Sequence, residues 1–222
     1  MALHAAEEES IEALKRWWNE NGKQLVILVV VVFAGYTAWL LWQNSRTASI
    51  NEASDTYEEI LSLVAPVAGE EVGEDARQRA VELASNLRDN HPGSVYARYA
   101  ALFAAQSSVI LGDLPAAEAW LQWVIENPLG GLLQEPDDGL QLTASLRLGR
   151  VILAQGEPER ALELVNSVDP QTFEAGFAEL RGDIYAAMER WVDARDAYLA
   201  AQQAGSASDG LRLKLQDLAD QG

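Results

Sequence analysis

The stretch "LRLGRVILAQGEPERALELVNSV", Leu146–Val168, decides how this chain folds. Apolar residues recur every three to four positions on both sides of "QGEPE", which places two helices around a tight turn. The same pattern returns in "RGDIYAAMERWVDARDAYLAA", Arg181–Ala201. Gly149 and Gly182 are 33 residues apart, and so are Ala161 and Ala194. Upstream, Gly112, Ala117 and Leu121 hold the corresponding points 44 residues before Gly156, Ala161 and Val165, with "LGGLLQEPDDG" as the extra length. A fourth, degenerate unit ends in "ARQRAVELASNLRDNHPG", where Ala80 and Pro92 keep the expected separation.

Each unit is a helical hairpin. Small residues such as Gly149 and Ala161 let its helices approach closely, while Ile152 and Val165 serve the next hairpin. One hairpin cannot bury its apolar face alone, so several must stack. The period resembles that of the tetratricopeptide repeat, about 34 residues. In the last unit Gly182, Tyr185, Ala194, Tyr198 and Ala201 occupy signature positions, whereas Arg181 replaces the usual leucine. Helical periodicity is legible at 48–64, 76–90, 95–111, 115–126, 141–155, 158–167, 173–188 and 191–203. No period-two alternation between hairpin turns suggests a sheet. The expected fold is all-α: a single transmembrane helix followed by an α-solenoid of tetratricopeptide-like hairpins.

That helix is read from "KQLVILVVVVFAGYTAWLLWQNSR", Lys23–Arg46. Residues 24–45 carry no charge, and about 20 apolar residues cross a hydrocarbon core. The apolar run Leu25–Trp42 exceeds the apolar core of a signal peptide, follows a 24-residue lead and precedes no clear Ala-x-Ala site. It also lacks the polar face of a buried core helix. Lys15, Arg16 and Lys23 precede it and only Arg46 follows closely, which directs the N-terminus to the cytoplasm. Trp17, Trp18, Trp39 and Trp42 bracket it as interfacial aromatics. Ala34 and Ala38 form a small-xxx-small pair suited to close helix contact in the bilayer. Ahead of the anchor, Ile11, Leu14, Trp17 and Trp18 make an apolar stripe that suits a headgroup-layer helix or a cytosolic docking helix. The expected organisation is a tail over 1–23, an anchor over 24–45, the repeat domain over 46–205 and a C-terminal helix or tail over 206–222.

Composition narrows the function classes. The 222 residues contain 34 acidic and 16 basic side chains, a net charge of −18, and no cysteine. Nucleic acid needs clustered Lys and Arg, so it is not an expected partner. Without cysteine there is no thiol nucleophile, and the two histidines are far apart, His4 in a tail and His91 at a helix end before Pro92. No Walker loop or nucleophile elbow is present, and "DDG" at 137–139 reads as a turn. An enzyme and a bound cofactor are both disfavoured. Recognition by the concave face of the stack remains. Repeat phase puts Tyr99, Gln106, Arg150 and Asp183 on that face.

The motif "IEALKRWWNENG", Ile11–Gly22, together with Leu146–Val168, resembles the YfgM family of ancillary subunits of the bacterial Sec translocon. The resemblance implies an inner-membrane protein with a periplasmic repeat domain, no cofactor, and SecYEG and the membrane-anchored chaperone PpiD as partners. It further implies a role in passing newly translocated client proteins to periplasmic chaperones. Two other readings use the same features: an envelope-stress regulator signalling through residues 1–23, and an assembly scaffold for another envelope complex.

Overall fold

Between Ala2 and Val64 the sequence has no proline and only two glycines, Gly22 and Gly35, so nothing interrupts the helical hydrogen-bond ladder. A computed structural model of the chain accordingly shows one helix, α1, over Ala2–Val64. It describes residues 2–65, 71–129 and 138–219, with side chains at 11, 12 and, within those ranges, from 14 to 218. The tail stripe, the anchor and the 48–64 segment are thus one element, where sequence periodicity treats them separately. The side chain of His4, most of the "LGGLLQEPDDG" insertion, residues 66–70 and residues 220–222 lie outside the described part.

The chain divides into two units, Met1–Asn51 and Glu52–Gly222. The first is α1 alone. Its apolar window is entirely uncovered by protein, and by length and composition the helix can cross a membrane. Trp18 lies over Gly22, with ring atoms 3.3 Å from where a β-carbon would sit. Tyr36 and Trp39 pair at a ring separation of 6.0 Å, and the Arg46 guanidinium lies 5.5 Å from the Trp42 ring centre.

The second unit is helical throughout, with no strand among the described residues. After the end of α1 come α2 (Glu74–Asn90), α3 (Val95–Ile110), α4 (Leu114–Glu126) and α5 (Asp138–Ala154). Then follow α6 (Pro158–Ser167), α7 (Glu174–Ala187), α8 (Trp191–Gln203) and α9 (Asp209–Ala219). Consecutive helices pack against each other from α2 to α9, and α5 also meets α7. That i-to-i+2 contact is how one hairpin stacks on the next. Asp138, from "DDG", begins α5 instead of ending in a turn.

Local chemistry explains the boundaries. The Ser94 hydroxyl accepts from the Tyr96 N–H, and the Asp113 carboxylate from the Ala116 N–H, so α3 and α4 begin with side-chain caps. Pro115 and Pro158 open α4 and α6, where their missing N–H costs nothing. His91 closes α2, its backbone N–H donating to the Leu87 carbonyl at 2.9 Å, while its ring lies 3.8 Å from the Glu52 carboxylate.

The α3–α4, α5–α6 and α7–α8 turns share one backbone feature. Gly112 (φ 80°) and Gly156 (φ 83°) are left-handed, and the equivalent residue of the last unit is Glu189, with φ 59°. Left-handed backbone costs a side-chain-bearing residue about 1–2 kcal/mol, of which glycine's extra unfolded-state entropy cancels roughly half. Glu189→Gly should therefore stabilise the domain by about 0.5–1 kcal/mol, read as a higher melting temperature. A fall would show that the Glu189 side chain contributes more than its strain costs.

The core is built from small residues at helix crossings and large ones between hairpins. Ala97, Ala100, Ala101 and Ala104 of α3 are fully buried, as are Ala117, Ala144 and Ala161. Phe177, Leu87, Leu121 and Ile184 fill the spaces between. A second, smaller cluster joins Ala194, Tyr198 and Ala201 to Leu211 and Leu218, so α9 covers the last hairpin. Among the described residues Arg98 is the one buried charge, 4% exposed. It donates to the carbonyls of Asn127 and Ser94, tying both ends of the α3–α4 hairpin together, and burial pushes its pKa down.

Candidate functional site: a groove between α3 and α5

Helices α3 and α5 open successive hairpins and therefore present equivalent faces to the same side. On α3, Tyr99, Phe103, Gln106 and Ile110 are spaced by three or four residues and share one stripe. On α5 the matching stripe is Thr143, Arg147, Arg150 and Ala154. Two adjoining pockets lie along them. One, of about 390 Å³, is lined by Gln106, Val109, Ile110 and Leu114 facing Arg147 and Arg150. The other, of about 480 Å³, is lined by Tyr99, Phe103 and Gln106 facing Leu140, Arg147 and Phe173. Gln106 and Arg147 border both.

An aromatic cluster fixes the Tyr99 end. Tyr57, from the last turns of α1, lies 5.5 Å from Tyr96, 6.5 Å from Tyr99 and 6.2 Å from Phe103, ring centre to ring centre. Burial, and secondarily Tyr99, raises the Tyr57 pKa, so its hydroxyl stays protonated. At the other end the walls are aliphatic, with Val109 and Ile110 exposed. Exposed apolar residues beside fixed aromatic rings are the composition of a protein-binding surface.

Of the four residues that repeat phase puts on the concave side, Tyr99 borders the second pocket, Arg150 the first and Gln106 both. Asp183 lies elsewhere. Its carboxylate accepts from the Tyr198 hydroxyl at 2.8 Å and meets the Lys214 ammonium at 2.6 Å. Lys214 also reaches Glu179 at 2.9 Å. Burial works to lower the Lys214 pKa, but the two carboxylates outweigh it and the net shift is upward. Burial and the Asp183 bond raise the Tyr198 pKa as well, so the phenol remains a donor. Asp183 thus joins α7, α8 and α9. Periodicity alone overlooks Arg147, although "LRLGR" sets it one turn from Arg150 and so on the same face.

The remaining singled-out residues sit on α1. Lys15, Arg16 and Lys23 are exposed, as are Trp17, Trp18, Trp39 and Trp42. Ala34 and Ala38 are exposed one turn apart. The neighbouring Thr37 hydroxyl is within 3.0 Å of both the Phe33 and Ala34 carbonyls, so its donor is spent within the helix. Among the described residues no group of three or more His, Asp or Glu side chains gathers as metal ligands would.

The chain matches the family described as "Tetratricopeptide repeat-like domain" over residues 15–220. Among curated proteins it is 31% identical over 206 residues to the "Ancillary SecYEG translocon subunit" of Haemophilus influenzae, covering 93% of each chain. A protein of the same name from Aggregatibacter actinomycetemcomitans is 30% identical, over 91% of this chain and 92% of its own. The one from Escherichia coli K12 is 26% identical, over 98% of this chain and 99% of its own. Among solved structures, the "MamA RS-1 ArsTM double mutant" superposes with a TM-score of 0.56 at 14% identity, covering 78% of this chain and 84% of that one. At that identity the likeness concerns the fold.

Proposed function

This chain belongs to the family of ancillary SecYEG translocon subunits, and from that premise we propose that it is a non-enzymatic, membrane-anchored adaptor of the Sec machinery. The family is one of repeat-built interaction proteins and not of enzymes. The single observation that carries the proposal is the pairing of an uncovered apolar helix with a repeat domain whose open face is a groove. The helix fits a single-pass inner-membrane protein.

The finer reading has three parts. Lys15, Arg16 and Lys23 keep the N-terminus cytoplasmic, which sends the repeats to the periplasm. Residues 24–45 hold the domain beside SecYEG, with Ala34 and Ala38 as the close-approach surface. There the groove hands translocated client proteins onward, together with a membrane-anchored chaperone of the PpiD type. Tethering supports this division of labour, because a partner held by the anchor sees the groove at high effective concentration. Weak groove contacts then suffice for handover.

Photo-crosslinking groups placed singly from Val26 to Leu41 test the reading in native membranes. Translocon components should be labelled on one face of the helix. Labelling of lipid alone at every position would overturn it.

A further inference from the structure

The groove has a charge that the rest of the chain does not lead one to expect. Acidic side chains outnumber basic ones 34 to 16, so carboxylates are abundant. In the second unit Arg79, Arg88, Arg160, Arg190 and Arg212 each meet one, while Arg77, Arg181 and Arg195 meet none among the described residues and Arg98 bonds only carbonyls. The Arg160–Glu118 pair even bridges α6 and α4, and it holds the Glu118 carboxyl below its ordinary range. Arg147 and Arg150 are set apart by lining one pocket together. They stand one turn apart on the groove wall, and no carboxylate pairs with either among the described residues. Packing around the Arg147 guanidinium lowers its pKa, and the Arg150 charge adds to the effect. Both side chains are solvent-exposed, and two like charges one turn apart repel each other, which an incoming anion relieves.

What surrounds the pair narrows the anion. Val109, Ile110 and Leu114 lie on one side and Phe103 and Phe173 on the other. A free inorganic anion gains nothing from such walls. A peptide that carries a carboxylate between large apolar side chains satisfies both.

Resting on the groove being the partner-binding face, we propose that it selects acidic segments of partner proteins, in which Asp or Glu side chains flanked by Leu, Ile or Phe pair with Arg147 and Arg150. The guanidinium fork matches a carboxylate bidentately and discriminates against the isosteric amide. Gln106, bordering both pockets, is placed to bond the peptide backbone.

The full-length protein in nanodiscs, titrated with labelled, C-terminally amidated peptides, tests this. One peptide carries Glu among Leu and Phe, a second has Gln in place of Glu, and a third has Lys. The Glu peptide should bind about tenfold more tightly than the Gln peptide at low salt, and less so at high salt. The variant R147Q/R150Q should bring the Glu peptide down to the Gln level and leave the Gln peptide unchanged. R147E/R150E should favour the Lys peptide, which a merely unfolded groove would not do. Equal binding of the Glu and Gln peptides, or a Glu preference that survives R147Q/R150Q, would overturn the proposal. Translocon crosslinks from the anchor with no acidic preference in the groove would defeat this inference alone. An acidic preference without those crosslinks would defeat only the Sec reading.

Discussion

Gly182→Ala should lower the melting temperature of the repeat domain by roughly 4–8 °C, the equivalent of about 2 kcal/mol for a unit of this size. A β-carbon on Gly182 would fall 2.2 Å from two ring carbons of Tyr198 and 2.9 Å from a third. The ring cannot slide aside freely, because Tyr198 is 3% exposed and its hydroxyl is bonded to Asp183. Overpacking of this kind costs about 3 kcal/mol, and alanine's better helix propensity offsets about 1 kcal/mol of it. Gly149→Ala should cost less, since the nearest obstacle is the terminal methyl of Leu180 at 2.7 Å, which can rotate. Thermal unfolding by circular dichroism gives both numbers. A double-mutant cycle isolates the cause: on a Tyr198→Leu background, Gly182→Ala should be neutral or stabilising. If it still destabilises there, the clash with the ring is not the reason glycine stands at 182.

Replacing Val32 and Phe33 together by aspartate should remove the chain from the membrane. Each charge near the centre of a span costs about 3 kcal/mol of insertion, and each lost apolar side chain adds about 0.5 kcal/mol, so the pair costs about 7 kcal/mol. Both residues are more than 60% exposed on α1, with no protein partner to shelter a carboxylate. Most of the protein should leave the carbonate-resistant pellet, while the repeats keep their helical content. Retention of the double variant in that pellet would mean that residues 24–45 do not span the bilayer. The domain would then be held by another surface, such as the stripe of Ile11, Leu14 and Trp18.

Most helix boundaries were legible because their causes are local. Pro115 and Pro158 can only open a helix, Ser94 and Asp113 cap one, and Gly112 and Gly156 supply the left-handed turn. The join between the anchor and the repeats was less so. Periodicity detects a change of pattern, from uniformly apolar to apolar on one face, and reads it as a change of element. Backbone hydrogen bonding has no such break, since nothing between Ala2 and Val64 interrupts it. The C-terminal segment was similarly indistinct, because α9 is short and its apolar residues Leu211 and Leu218 make sense only once the last hairpin is there to receive them.

The sequence by itself determined that this is a chain of stacked hairpins behind an apolar helix, and which residues share each helical face. Only the tertiary structure decided what those faces meet. Gln106, Arg150 and Asp183 hold the same position in successive repeats, yet two line the groove and the third does not. The reason is Lys214, 31 residues beyond Asp183, brought back by α9 to pair with it. Arg147 meets no carboxylate among the described residues, whereas Arg160 is joined to Glu118 across 42 residues. A repeat period specifies direction from the helix axis. It carries no information about which distant charge the fold returns to that direction, and in this chain that is what separates a binding wall from an internal clamp.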